Sequence, residues 1–298
     1  MLPAITLVAT PGKRAAVLDA AREAERRGFT GIACPSLGGT MGLCVSLAHV
    51  TSTIPFWTSI QPIYLATPAE TAATAAHLHE VSGGRFSLGL GVSHGPVHER
   101  LGVAPGRPLA DTEAYVAALR ASNAGPLPPI VLAALRDKML DLAVRIADGA
   151  VWANAARSHM AAQLAGIPAD RRAGFFVGNM IPTVIDDDLA AARAIHRRTL
   201  TGYVMLPNYR NYWKQAGYVE EMEAIEAALA AGERDRLPEL MSDRWLADCT
   251  LAGSPAQVRE GVEAWREAGV STPILVMSST SGGQLKALQQ LFDAYAQA

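Results

Sequence analysis

The sequence predicts an α/β fold, a (β/α)8 TIM barrel, on three observations. Short apolar and β-branched runs alternate with longer stretches whose apolar residues recur at helical spacing. The alternation repeats eight times along the chain. Most of the runs are apolar at successive positions, the pattern of a parallel strand covered on both faces. The candidate strands are Ile5 to Thr10, Gly31 to Pro35, Phe56 to Gln61, Phe86 to Gly91, Pro129 to Ala133, Gly149 to Asn154, Gly174 to Asn179 and Pro273 to Ser278. Between them, Thr67-Pro68-Ala69-Glu70 and Ser254-Pro255-Ala256-Gln257 each read as a capping box: a hydroxyl for an orphan amide, Pro at the first helical position, and a side chain able to reach back. Val258, Val262 and Trp265 follow the second cap at helical spacing, with Gly269 placed to end that helix. Met139, Leu142, Ala143 and Ile146 form a similar stripe, as do Leu285, Leu288, Phe292 and Tyr295.

The chain has 298 residues, enough for one barrel of the usual ~250 residues plus insertions. The expected organisation is a single domain over residues 1–298 with insertions at 92–109 and 205–248, the first rich in Gly and Pro and the second holding a helical stretch from Val219 to Ala231; both read as loops on the scaffold, suited to carry specificity. An open doubly wound sheet is the rival fold, but no Gly-x-Gly-x-x-Gly follows a first strand. With 26 Lys and Arg against 28 Asp and Glu, and a net charge of -2, nucleic acid and anionic membranes are not expected partners. No apolar run approaches the ~20 residues of a membrane span, and the opening Ile5 to Ala9 run lacks the basic leader of a signal peptide. Cys34, Cys44 and Cys249 have no metal-like spacing and cannot all pair, which fits a reducing cytoplasm. The expected partner is a small-molecule substrate; a homodimer is an assembly that the sequence leaves open.

In such a barrel the chemistry lies at the carboxyl ends of the strands. Those positions offer Thr10, Pro35 and Ser36, Ser59 to Pro62, Gly91 to His94, Ala133 to Arg136, Asn154, Asn179, and Ser278 to Gly283. They hold no dense carboxylate or His set, no His-Glu-x-x-His and no Gly-x-Ser-x-Gly, so no metal is expected and hydrolysis lacks its usual nucleophile. Small residues dominate instead, which leaves room for a bulky flat cofactor; equally, they can serve only tight strand-to-helix turns.

Ser82-Gly83-Gly84-Arg85-Phe86-Ser87-Leu88-Gly89-Leu90-Gly91 resembles the signature segment of the bacterial-luciferase-like monooxygenase family. Thr58-Ser59-Ile60, the stretch from Leu132-Ala133-Ala134 to Asp148-Gly149, and Ala252-Gly253-Ser254-Pro255 support the likeness in the same order. It covers most of the chain, least firmly between Gly174 and Asp248. The resemblance implies a (β/α)8 barrel using reduced flavin mononucleotide (FMN) or the deazaflavin coenzyme F420. The Arg- and Ala-rich composition and Pro207 to Trp213 look more like the F420 branch.

By resemblance, a bulge with a non-proline cis peptide falls at Ser59-Ile60 or Ile60-Gln61, with Ile60 against the ring. Gly91, Val92 and Ser93 would lie along the cofactor. Ala133, Ala134, Leu135 and Arg136, with Asn154, would hold its ribityl and phosphate portion, and Lys138 could add charge. The general barrel rule instead puts phosphate near the eighth-strand loop; Ser278 and Ser279, with Ser36, are assigned to the substrate. Family dehydrogenases carry Glu where this chain has His94, and an acid with His where it has Cys34, Pro35 and Ser36. Those departures favour reduction of a substrate over alcohol oxidation. His94 is the candidate proton donor, against the alternative of a solvated loop imidazole. Tyr209, Tyr212 and Trp213 could form a lid, whereas the strand aromatics read as core. The reading is an F420-dependent oxidoreductase passing hydride to a small organic acceptor; the alternatives are an FMN-dependent monooxygenase using dioxygen and a non-catalytic cofactor-binding barrel.

Overall fold

A strand forms at each predicted run in the computed structural model, which describes residues 1–36 and 38–296. The strands are β1 (Ala4–Thr6), β2 (Ile32–Cys34), β3 (Phe56–Thr58), β4 (Gln61–Pro62), β5 (Phe86–Gly91), β6 (Ile130–Ala133), β7 (Gly149–Ala153), β8 (Phe176–Ile185), β9 (Leu251–Gly253) and β10 (Thr272–Ser278). Among the described residues they make one ten-stranded sheet in the order β10-β1-β2-β3-β5-β6-β7-β8-β9, with β4 on β5 and β10 also paired to β8. The fold is a (β/α)8 TIM barrel. The chain divides into two compact units, residues 1–152 with 166–178, and residues 153–165 with 179–298.

Helices α1 (Arg14–Arg27), α2 (Thr40–Val50), α3 (Pro68–Val81), α4 (Gly95–Leu101), α5 (Pro108–Arg120) and α6 (Asp137–Ile146) belong to the first unit. The predicted third strand is interrupted. Trp57 pairs with Ser87 but Gln61 pairs with Leu90, so this side carries one residue more than β5 between the two points, a β-bulge. Thr58, fully buried, fills the gap in the ladder: its Oγ1 donates to the Gly89 carbonyl at 2.7 Å and accepts from the Gly89 amide at 2.9 Å. A Cβ at Gly89 would stand 1.8 Å from the Thr58 carbonyl oxygen, which explains this glycine of the signature. The signature's Arg85 is a clamp. Its Nε donates to the Ser82 carbonyl, Nη1 to Thr51 Oγ1 and the Ile54 carbonyl, and Nη2 to the Ala48 and Thr51 carbonyls, tying the end of α2 to the entry of β3. Glu25 on α1 fixes the same approach by accepting the amides of Ser52, Thr53 and Ile54. The cap at α3 forms only in part: Thr67 accepts from the Glu70 amide, without the return bond expected of a box.

The second unit holds α7 (Arg157–Leu164), α9 (Leu189–Val204), α10 (Pro207–Gln215), α11 (Val219–Ala230), α12 (Asp243–Cys249), α13 (Pro255–Glu267) and α14 (Gln284–Tyr295); the short α8 (Ala169–Arg172) belongs to the first. Two readings need correction. β8 runs on to Ile185, because the β-branched Ile181, Thr183, Val184 and Ile185 continue it and the last three pair with the short β9, a strand absent from the predicted set. Asn179 therefore lies inside a strand, fully buried. In the excursion from 205 to 248 the expected helix from Val219 forms as α11, but the segments read as loop on either side are helical too, as α10 and α12, and the lid reading of its aromatics fails. Tyr212 and Trp213 are fully buried; Trp213 stacks edge-on to Trp245 at 4.7 Å and donates Nε1–H to the Asn154 carbonyl. Tyr209 lies half-buried between the rings of Tyr203 and Trp213. The predicted capping box at Ser254 is complete, and Gly269 follows the end of α13 at φ +98°.

His196 on α9 is buried, with Nε2 2.9 Å from the Leu251 carbonyl of β9. Burial lowers its pKa from 6.5 to about 4, against the partial support of that carbonyl. The unfolded chain therefore takes up a proton between pH 6.5 and 4 that the folded chain refuses. The stabilisation is complete above pH 6.5 and is lost as pH falls toward 4, by about 3 kcal/mol in all. Urea unfolding across this range will show that slope, and His196→Gln will flatten it. Replacing Arg85 by Met will strand buried carbonyls and lower stability by about 2–4 kcal/mol at neutral pH, read from the urea midpoint.

Candidate active site

The bulge between β3 and β4 decides where Ile60 goes. The Ser59–Ile60 peptide is cis, and the Ser59 amide donates to the Cys34 carbonyl at 2.7 Å; Ile60 lies against Gly91 at the end of β5. A Cβ built on Gly91 would meet Ala133 Cβ at 2.9 Å and Ile60 Cγ1 at 3.0 Å. Only glycine leaves the three groups room, and they form an apolar floor at the carboxyl ends of β3, β5 and β6. Ile60, Gln61, Val92, Ser93, Ala133 and Leu135 are half-buried around it, while Ser59 is buried. Ala134 turns inward, its amide on the Val151 carbonyl, and Arg136 is exposed at the start of α6.

Beyond β5 the chain turns sharply, with Ser93 at φ +62°. His94 then precedes α4, half-buried and with Nδ1 making no hydrogen bond. Burial first, and then the neighbouring His98, lower its pKa below the usual imidazole value. His98, one helical turn on, is buried; its Nε2 lies 2.5 Å from the Val92 carbonyl and its ring meets Tyr64 edge-on at 5.5 Å. Tyr64 donates its hydroxyl to Asp111 of α5 at 2.6 Å, and burial followed by that carboxylate raises the phenol to about 12. Sequence reasoning passed over His98, Tyr64 and Asp111. The His94-x-x-x-His98 spacing was the available signal, because residues four apart share a helix face.

The Cys34 thiol, where an acid would have stood, is fully buried; its hydrogen bond with Cys44, and then burial, hold its pKa well up, so it stays protonated. Ser36 beyond it is half-buried. In the second unit Asn154, the residue after β7, has φ +58° and is buried, with its amide on the Met180 carbonyl. Ser278 is half-buried at the end of β10, and the buried Ser279 lies 3.3 Å, oxygen to oxygen, from Ser281. A cleft of about 460 Å³ opens in the first unit by His79, Arg120, Pro129 and Asp148, at the amino ends of β6 and β7, the end of such strands that serves stability and not catalysis. Among the described residues no three His, Cys, Asp or Glu stand together as metal ligands, and no helix is long and apolar enough to cross a membrane.

A family model described as luciferase-like monooxygenase matches residues 5–272. The chain belongs to that family. It is 27% identical over 296 residues, 81% of this chain and 83% of the relative, to a putative coenzyme F420-dependent oxidoreductase of Mycobacterium tuberculosis. It is 25% identical over 277 residues, 82% of each chain, to the 5,10-methylenetetrahydromethanopterin reductase of Archaeoglobus fulgidus. Among solved structures, the coenzyme F420 dependent tetrahydromethanopterin reductase of Methanopyrus kandleri shares its fold, with a TM-score of 0.77 at 18% identity, over 99% of this chain and 98% of that one. Membership in a family of oxidoreductases makes the chain an enzyme.

The lowered His94 pKa means a neutral imidazole at pH 7. Proton NMR titration of the ring signals will place its midpoint below the free value of about 6.5.

Proposed function

We propose that the protein is a coenzyme F420-dependent oxidoreductase that reduces a small organic acceptor. The observation that carries this reading is the floor made by Ile60, Gly91 and Ala133, supported by the Mycobacterium tuberculosis relative, whose name gives F420 dependence and which aligns over four-fifths of the chain. The residues present suit a flat redox ring: half-buried aliphatic groups back it, and Val92 and Ser93 continue the same edge. When bound, reduced deazaflavin supplies a hydride. The chain's own residues then have three tasks. Ile60 with Ala133 supports the ring and excludes water from one side, so that donor and acceptor can be held at near-attack distance. Leu135 and the rim residue Arg136 would hold the tail, Arg136 by charge, the portion to which the resemblance also assigns Asn154, while Gln61 would stay beside the ring. His94, neutral at rest, relays a proton taken from solvent to the acceptor as the acceptor takes the hydride, so that the acceptor gains H⁻ and H⁺, two electrons and two protons in all. Ser36, Ser278 and Ser279 are assigned to the substrate.

The family's description as monooxygenases supports a second reading, an FMN-dependent enzyme using dioxygen. Fluorescence-quenching titrations with F420 and FMN separate them. Tighter binding of F420 is expected. Equal or reversed affinity, together with oxygen uptake in the presence of reduced FMN and an aldehyde, overturns the assignment.

A further inference from the structure

The segment that carries His94 is held by a residue that the proposed reaction does not touch. His98 Nε2 lies 2.5 Å from the Val92 carbonyl, within hydrogen-bond reach across only six residues of chain. That carbonyl accepts and cannot donate, so Nε2 must carry the proton. The Val92 peptide is thereby fixed on one side of the Ser93 turn, where φ is +62° and a non-glycine residue sits in the left-handed region. On the other side the His94 carbonyl receives the Val97 and His98 amides, starting α4. The loop between Gly91 and His98 is thus pinned at both ends by His98, once through its ring and once through its backbone. The ring is braced in turn: Tyr64, just past β4, stands edge-on to it, and the Tyr64 hydroxyl is held by Asp111 of α5 at 2.6 Å. A Cβ at Gly106 would come 2.6 Å from Asp111 Oδ2, so the far end of the same excursion closes on this carboxylate.

We propose that His98 is a positioning residue, which through its Nε2–H bond to the Val92 carbonyl holds the Gly91–His94 turn and keeps the His94 imidazole withdrawn from water. This rests on the assignment of His94 as proton donor for its catalytic consequence, but not for its structural one. The titratable and charged groups facing the pair are Arg100 on α4, Tyr64 after β4 and Asp111 on α5.

Two variants separate the hydrogen bond from the ring. His98→Gln keeps an N–H donor at nearly the position of Nε2; His98→Phe keeps a ring against Tyr64 and loses the donor. NMR titration of His94 is expected to give its lowest midpoint in the wild type, a small rise in the Gln variant, and in the Phe variant a rise of roughly half a unit or more, as solvent reaches the ring. F420 binding should be unchanged in the Gln variant and weakened in the Phe variant. An unchanged His94 midpoint in His98→Phe, or equal midpoints in the two variants, overturns the proposal. Should the Phe variant fail to fold, nitrogen-15 NMR of the wild type decides: neutral His98 must be the Nε2–H tautomer, and an Nδ1–H tautomer overturns the assignment. Since the His94 midpoint and the tautomer need no cofactor, a failure of F420 to bind would count against the proposed function and leave this test intact.

Discussion

The site depends on one side chain standing in for a stretch of backbone. Where β3 and β5 should continue their ladder, the Thr58 hydroxyl satisfies both the amide and the carbonyl of Gly89. A buried peptide left without partners at this point would be costly. With both groups met by Thr58, the third strand can leave the sheet at Ser59 and Ile60 and rejoin at Gln61. The departure carries Ile60 over Gly91 toward Ala133. Gly89 and Gly91 are accordingly glycines for different reasons: the first admits a carbonyl oxygen, the second an aliphatic side chain.

The frame around this bulge is polar and specific. Arg85 and Glu25 converge on residues 48–54, one by donating to carbonyls and the other by accepting amides, and so fix the direction in which β3 enters the sheet. The Arg85 carbonyl itself accepts the Phe56 amide. The signature segment therefore acts mainly on architecture. Its Arg positions the strand that carries Ile60, and its glycines make room for that strand's departure.

Much of this was legible in the sequence, for identifiable reasons. Strands such as Phe86 to Gly91 are apolar at every position and bounded by turn residues, so periodicity finds them directly. Ser254 with Gln257 announced a cap by chemistry that is local. What escaped depends on contacts distant along the chain. The extension of β8 to Ile185 is stabilised by β9, nearly seventy residues later. Tyr212 and Trp213 have the composition of an exposed lid but find partners in Ala156, Asn154 and Trp245. His98 gains meaning only once the turn at Ser93 brings it back to Val92. Positions of strand ends can be read from pattern, whereas the orientation of a loop imidazole is set by folding.

The apolar floor is the central claim, and a crystal structure of the protein with F420 tests it most directly. The account predicts the deazaflavin ring lying against Ile60, Gly91 and Ala133, with Val92 and Ser93 along its edge. A ring bound away from those residues, or a third strand that runs past β5 without the Thr58 bulge, would contradict it.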